Sequence, residues 1–143
     1  MAKIYSKKTI PENLLLAMRL NLQINAKTQE LSRWREISEK AAGIIYSHAQ
    51  SDKRNGSRIE DCLVKIEAIE LSIKNDLDNL VQLQVLLSDI IGKISDSTCQ
   101  TLLRLRYLCG MGWDEVAEVM DYSYLHVVHR LHPKALEKFN GVI

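Results

Sequence analysis

One phenylalanine, two prolines and six glycines in 143 residues are too few for a chain of strands and tight turns. Sheet proteins need aromatic and β-branched residues in alternation and turn residues at short intervals, so this scarcity points to long helices. Cysteine is scarce as well. Cys62, Cys99 and Cys109 fall in no metal-ligand spacing, and an odd number leaves one over from any disulfide framework. They read as reduced thiols, which places the protein in the cytoplasm. No apolar run approaches the ~20 residues needed to cross a bilayer, and Met1-Ala-Lys-Ile-Tyr5 opens no signal peptide. A soluble chain with no membrane partner is expected. Neither a Gly-rich phosphate loop nor a nucleophile elbow nor paired catalytic carboxylates occurs, and Glu67 with Glu70 is most simply a solvated face. No enzyme, cofactor or small-molecule substrate is expected.

A surplus of one charge is also missing: the formal net charge is +1. The distribution says more. Residues 1–58 hold eleven Lys or Arg against five Asp or Glu, residues 59–96 hold three against eight, and residues 97–143 hold five against five. The simplest account is a basic first helix lying against an acidic second one.

What is present is helical periodicity. Lys3, Lys7 and Lys8 form a basic leader, after which Pro11 and Glu12 stand as proline and acid do at the start of a helix. From Leu14 to about Tyr46, apolar residues recur at Ala17, Leu20, Ile24, Leu31, Trp34, Ala41 and Ile45, with Lys27 and Ser38 as interruptions. Trp34 and Tyr46 read as packing residues. Ser51-Asp-Lys-Arg-Asn-Gly-Ser57 is polar throughout and reads as the loop between two helices. The second helix, from about Arg58 to Ile94, carries Ile59, Ile66, Ile73, Leu80, Leu87 and Ile94 seven apart, with Cys62, Ile69, Leu83 and Ile90 in the other seam position. Asp76 breaks that second seam, and Leu77 is expected to take over beside it. Leu86 and Ile91 widen the band and favour more than two helices. The first helix, folded back antiparallel, is the nearest partner. An equal alternative is a stripe shared between two chains of a homodimer.

The last third changes character. Asp96-Ser97 offers a cap for a helix from Thr98 to Cys109 ended by Gly110-Met-Gly112, with Leu102, Leu103, Leu105, Tyr107 and Leu108 as its core face. Trp113 to Met120 and Tyr124 to Leu131 then read as two short helices joined by a tight turn. Val116 and Ala117 face the core from the first, Val127 and Leu131 from the second, and the Ser123 hydroxyl is placed to accept from the amide of His126. This is a helix-turn-helix pattern, whose second helix would lie in a DNA major groove. With Val127 and Leu131 inward, Ser123, Tyr124, His126, His129 and Arg130 are the residues available to DNA. Arg130 is the best single candidate, since a guanidinium grips a guanine edge or a phosphate with two hydrogen bonds. Arg104 and Arg106, with Lys134 and Lys138, are expected to touch the phosphate backbone and position the domain. The competing reading is a solvated surface, which the neutral charge of this segment supports. His126, His129 and His132 turn around the helix without an acidic or cysteine ligand beside them, so no metal is expected. Imidazole groups, with a reference pKa of ~6.5, would strengthen DNA binding below neutral pH.

The run Leu102-Leu-Arg-Leu-Arg-Tyr-Leu108, Trp113-Asp-Glu-Val-Ala117, Tyr122-Ser123, Val127-Val-His-Arg-Leu-His132 and Ala135-Leu136 resembles region four of bacterial sigma factors, nearest the small extracytoplasmic-function type. With a long helical half containing Ile24-Asn-Ala-Lys27 and Glu30-Leu31 before it, the chain is similar to a family of Gram-positive phage and prophage proteins near the late transcription regulators of the ArpU and RinA kind. The resemblance implies that Tyr124, His126, His129 and Arg130 read bases or grip phosphates, and that the protein acts at promoters on double-stranded DNA together with RNA polymerase. Pro133 departs from it, standing where related sequences have arginine or glycine, so the recognition helix is expected to kink or stop near His132.

The expected fold is all-α: a coiled-coil-like antiparallel hairpin over 1–95, then a three-helix, helix-turn-helix domain over 96–143. The expected function is a phage-encoded, sequence-specific transcription regulator. Two alternatives stand beside it: an interaction module whose hairpin binds a host or phage protein, and a small-terminase-like DNA-packaging component.

Overall fold

The structure is a computed structural model that describes the backbone of residues 10–47 and 53–143 and the side chains of residues 10–44 and 56–143. It is all-α, with no strand among the described residues. Helix α1 spans Glu12–Ser47 and α2 Lys53–Gly92. Then come α3 (Ser97–Leu103), a π-helical turn (Arg104–Leu108), α4 (Trp113–Met120), α5 (Tyr124–His126), a second π-helical turn (Val127–Leu131) and α6 (His132–Val142). The chain divides into two compact units, one of residues 22–79 and one that joins residues up to 21 with residues 80–143. That division does not fall between residues 95 and 96. The base of the hairpin belongs with the C-terminal helices because Gln84 donates to the Leu108 carbonyl at 2.9 Å and Arg104 donates to the Ser88 hydroxyl at 3.2 Å.

In the unit of residues 22–79, α1 and α2 run antiparallel. Lys27 meets Asp76 at 2.6 Å and Arg35 meets Glu70 at 2.9 Å, so the partner number falls as the first rises. The heptad seam is where its spacing puts it: Cys62 and Ile69 are buried, and Ile59, Ile66 and Ile73 are half-buried. Asp76 and Lys27, the polar interruptions of the two stripes, face each other, and Lys27 also donates to Ser72 at 2.7 Å. Leu77 does not take over the seam. It stays exposed, because the Asp76 position is already filled by its ion pair. Trp34 is half-buried, with its indole N–H on Glu30 at 2.9 Å.

From Lys53 on, the residues expected as a loop at 51–57 are helical, for α2 starts at Lys53 and holds Asn55 and Gly56. A glycine costs a helix only about 1 kcal/mol relative to alanine, which the long seam that follows outweighs. Residues 48–52 and the basic leader lie outside the described residues.

The second unit has the denser core. Leu14, Ala17, Leu87, Ile91, Leu102, Leu103, Tyr107, Val116, Val127, Ala135 and Phe139 are all fully buried. Ile91 packs inside as expected of a band wider than a two-helix seam, whereas Leu86 is exposed. Helix α2 ends two residues earlier than Ile94, but tight turns from Lys93 to the Ile90 carbonyl and from Ile94 to the Ile91 carbonyl, at 3.1 and 3.0 Å, return Ile94 to the core. Asp96 caps α3 by accepting from the amides of Thr98 and Cys99.

The Lys27–Asp76 pair is largely screened from water, with side-chain exposures of 31% and 15%. Removing one partner from such a pair costs more than removing both. Asp76→Ala alone is expected to lower stability by about 1–3 kcal/mol, and Lys27→Leu with Asp76→Leu to recover most of that loss in chemical denaturation.

Candidate nucleic-acid interface

The C-terminal helices meet around one buried polar contact. The Tyr107 hydroxyl and His132 Nε2 lie 2.6 Å apart, with Tyr107 fully buried and His132 nearly so. Trp113 packs edge-on against the His132 ring at 4.4 Å, and the Arg106 guanidinium stacks over Trp113, also at 4.4 Å. Burial, helped by the nearby Arg106 charge, pushes the His132 pKa down to about 4. Burial drives Tyr107 the other way, to about 12. Both groups are therefore neutral at physiological pH, as a water-poor site requires.

Each partner stands at a widened turn. The first π turn bonds the Cys109 amide to the Arg104 carbonyl at 2.9 Å, and Gly110 follows in the left-handed region at φ 71°. The second bonds the His132 amide to the Val127 carbonyl, immediately before Pro133. The helix that follows Ser123 consequently neither stops nor separates at His132: helical backbone runs from Tyr124 to Val142. Proline lacks an amide donor and crowds the carbonyl four residues back. A turn bonded five residues back opens the backbone at that point and accommodates Pro133 immediately after it, at the start of α6.

Helix α4 ends in a tight turn with Asp121 left-handed at φ 59°. Asp121 donates its amide to the Glu118 carbonyl at 3.2 Å and Tyr122 donates to the Ala117 carbonyl at 3.0 Å, the paired bonds of a Schellman motif. Ser123 then caps the next helix, its hydroxyl accepting from the His126 amide at 3.2 Å, which is the contact expected from the sequence. Val116, Ala117 and Val127 are buried as expected, while Leu131 is only half-buried.

The candidate residues separate into two groups. Ser123, Tyr124, His126, His129 and Arg130 are all exposed along the capped helix that buries Val127. The Tyr122 ring lies 5.1 Å from that of His126 and restrains it. Arg104, Arg106 and Lys134 do not join them. Arg104 is held on Ser88; Arg106 is half-buried, donates to the Met111 carbonyl at 2.9 Å and stacks on Trp113. Lys134 pairs with Asp96 at 3.2 Å. The Cys99 amide and then the Lys134 ammonium hold the Asp96 carboxyl below the usual range, and Asp96 in turn raises Lys134. These three cations tie the helices of the domain to one another.

His132 also leaves the histidine row. It is turned inward on Tyr107, while His126 and His129 face outward, and among the described residues no three His, Cys, Asp or Glu side chains are grouped to hold a metal ion. No described helix is long and apolar enough to cross a membrane. No family model, curated protein or solved structure matches the chain.

Two outcomes follow. A histidine whose folded pKa is depressed stabilises the fold above its unfolded value of ~6.5 and loses that contribution as pH falls towards the folded value. Unfolding free energy should thus drop by about 3 kcal/mol between pH 6.5 and 4 on account of His132, a component absent from His132→Phe when denaturation is compared across that window. Asp121→Gly should raise stability by about 0.5–1 kcal/mol by relieving the left-handed backbone, as read from thermal unfolding.

Proposed function

We propose that the chain is a sequence-specific DNA-binding transcription regulator of the helix-turn-helix type, phage-encoded, acting at promoters with RNA polymerase. The observation that carries this reading is the exposure of Ser123, Tyr124, His126, His129 and Arg130 along one capped helix, packed beside α4, which buries Val116 and Ala117. A rigid helix that presents polar and cationic side chains outward fits a major groove, and the α4-first order matches the way such units dock. Arg130 supplies the bidentate donor for guanine or phosphate, and His126 and His129 add donors beside it. The resemblance to sigma region four supports promoters as the target.

A second reading, a protein-docking module, has its own support. In the unit of residues 22–79, Leu22, Leu63, Val64 and Leu71 are exposed, and in the other unit Val119 and Tyr122 border a cleft of about 230 Å³ lined also by Ser97, Thr98, Thr101 and Met120.

Purified protein offered DNA from its genomic neighbourhood is expected to enrich a defined site, with affinity that falls steeply as salt rises, since phosphate contacts release counterions. Arg130→Ala combined with His129→Ala is expected to lose that site by tenfold or more. Enrichment of nothing above non-specific binding at moderate salt would leave the docking reading in its place.

A further inference from the structure

One side chain on the outward face of the recognition helix serves neither the core nor a phosphate. Leu125 is 65% exposed, while Val127, two residues on, is fully buried. A single exposed leucine is ordinary on a protein surface. Its position makes the difference. Leu125 is in the first turn of the helical run that begins at Tyr124, where a recognition helix meets base edges, and it shares a face with exposed His129 one turn on. The major groove displays hydrogen-bonding groups and one apolar feature, the C5-methyl group of a pyrimidine. Phosphates and sugars give a leucine no comparable contact.

Resting on the DNA-binding reading above, we propose that Leu125 is a specificity-determining residue that packs on the C5-methyl group of a pyrimidine, while His129 and Arg130 make the polar contacts nearby. Leu125 and His129 are about 6 Å apart along the helix axis, so their contacts fall within about two base pairs of each other. In unmodified DNA the methyl belongs to thymine; 5-methylcytosine offers the same group in the same place.

The test uses the full chain. A site is selected from random DNA and resynthesised with deoxyuridine in place of each thymine in turn, and with cytosine or 5-methylcytosine, paired to guanine, at the same positions. Deoxyuridine at one or two positions is expected to weaken binding roughly fourfold, the effect of one methyl group removed from water. Leu125→Ala is expected to bind thymine and deoxyuridine sites alike, and Leu125→Met to restore part of the difference. If 5-methylcytosine binds more tightly than cytosine at the sensitive position, either pyrimidine serves; if the two are equal, the methyl is thymine's alone. Indifference of the wild-type protein to deoxyuridine at every position, or full discrimination kept by Leu125→Ala, would overturn the proposal and leave DNA binding intact. Failure to select any site would instead bring down the DNA-binding reading, and this proposal with it. Leu125→Ala should unfold at the wild-type temperature, and a clear drop would mark Leu125 as structural and overturn the proposal too.

Discussion

The C-terminal domain depends on the buried hydrogen bond between Tyr107 and His132. Leaving either polar group unpaired in that core would cost the desolvation of the other, about 1–3 kcal/mol. The bond fixes more than stability. Once His132 is turned inward, the rotation of the helical run from Tyr124 to Val142 is set: Val127, Ala135, Leu136 and Phe139 face the core with it, and Leu125, His126, His129 and Arg130 face away. Trp113 against His132 and Arg106 against Trp113 extend the same constraint to α4 and to the π turn after α3. Asp96 with Lys134 adds a second tie between α3 and α6. Which side chains of this helical run face outward is thus a consequence of inward packing.

The hairpin unit rests on a different device. Its seams carry no charge except where Lys27 and Asp76 intrude, and these two meet. A buried or half-buried ion pair adds little net stability but penalises any register that separates it. A slip of one heptad along the seam would leave both charges facing hydrocarbon. Arg35 with Glu70 repeats the same antiparallel register at a more exposed level, as expected of a basic first helix beside an acidic second one.

Much of this was legible in the residues themselves. Seven-residue spacing marked the α2 seam, Ser123 and Asp96 announced their caps, and the polar interruptions at Lys27 and Asp76 were visible even though their meeting was not. Local pattern reports which face a residue takes within its own element. It does not report what that face meets. Spacing therefore groups His132 with His126 and His129, whereas its partner, Tyr107, is on another helix. Nor does local pattern report that Arg104, Arg106 and Lys134 are each engaged within the domain. The π turns escaped because nothing in propensity distinguishes a turn bonded five residues back; Pro133 was the one signal, and it argued for a break that the widened turn avoids. Asn55-Gly56 misled in the same way, a local turn preference outweighed by the long helix that follows. Leu125 carries no signal in the sequence, because a leucine's exposure is set by the packing of its helix.

The proposed DNA-binding surface is the exposed part of the helix carrying Ser123, Tyr124, Leu125, His126, His129 and Arg130. The most direct measurement is backbone amide NMR of the full chain titrated with its selected DNA site. The account predicts shifts concentrated at residues 122–130 and unchanged positions through residues 22–79. Shifts confined to the hairpin, or none at saturating DNA, would contradict it.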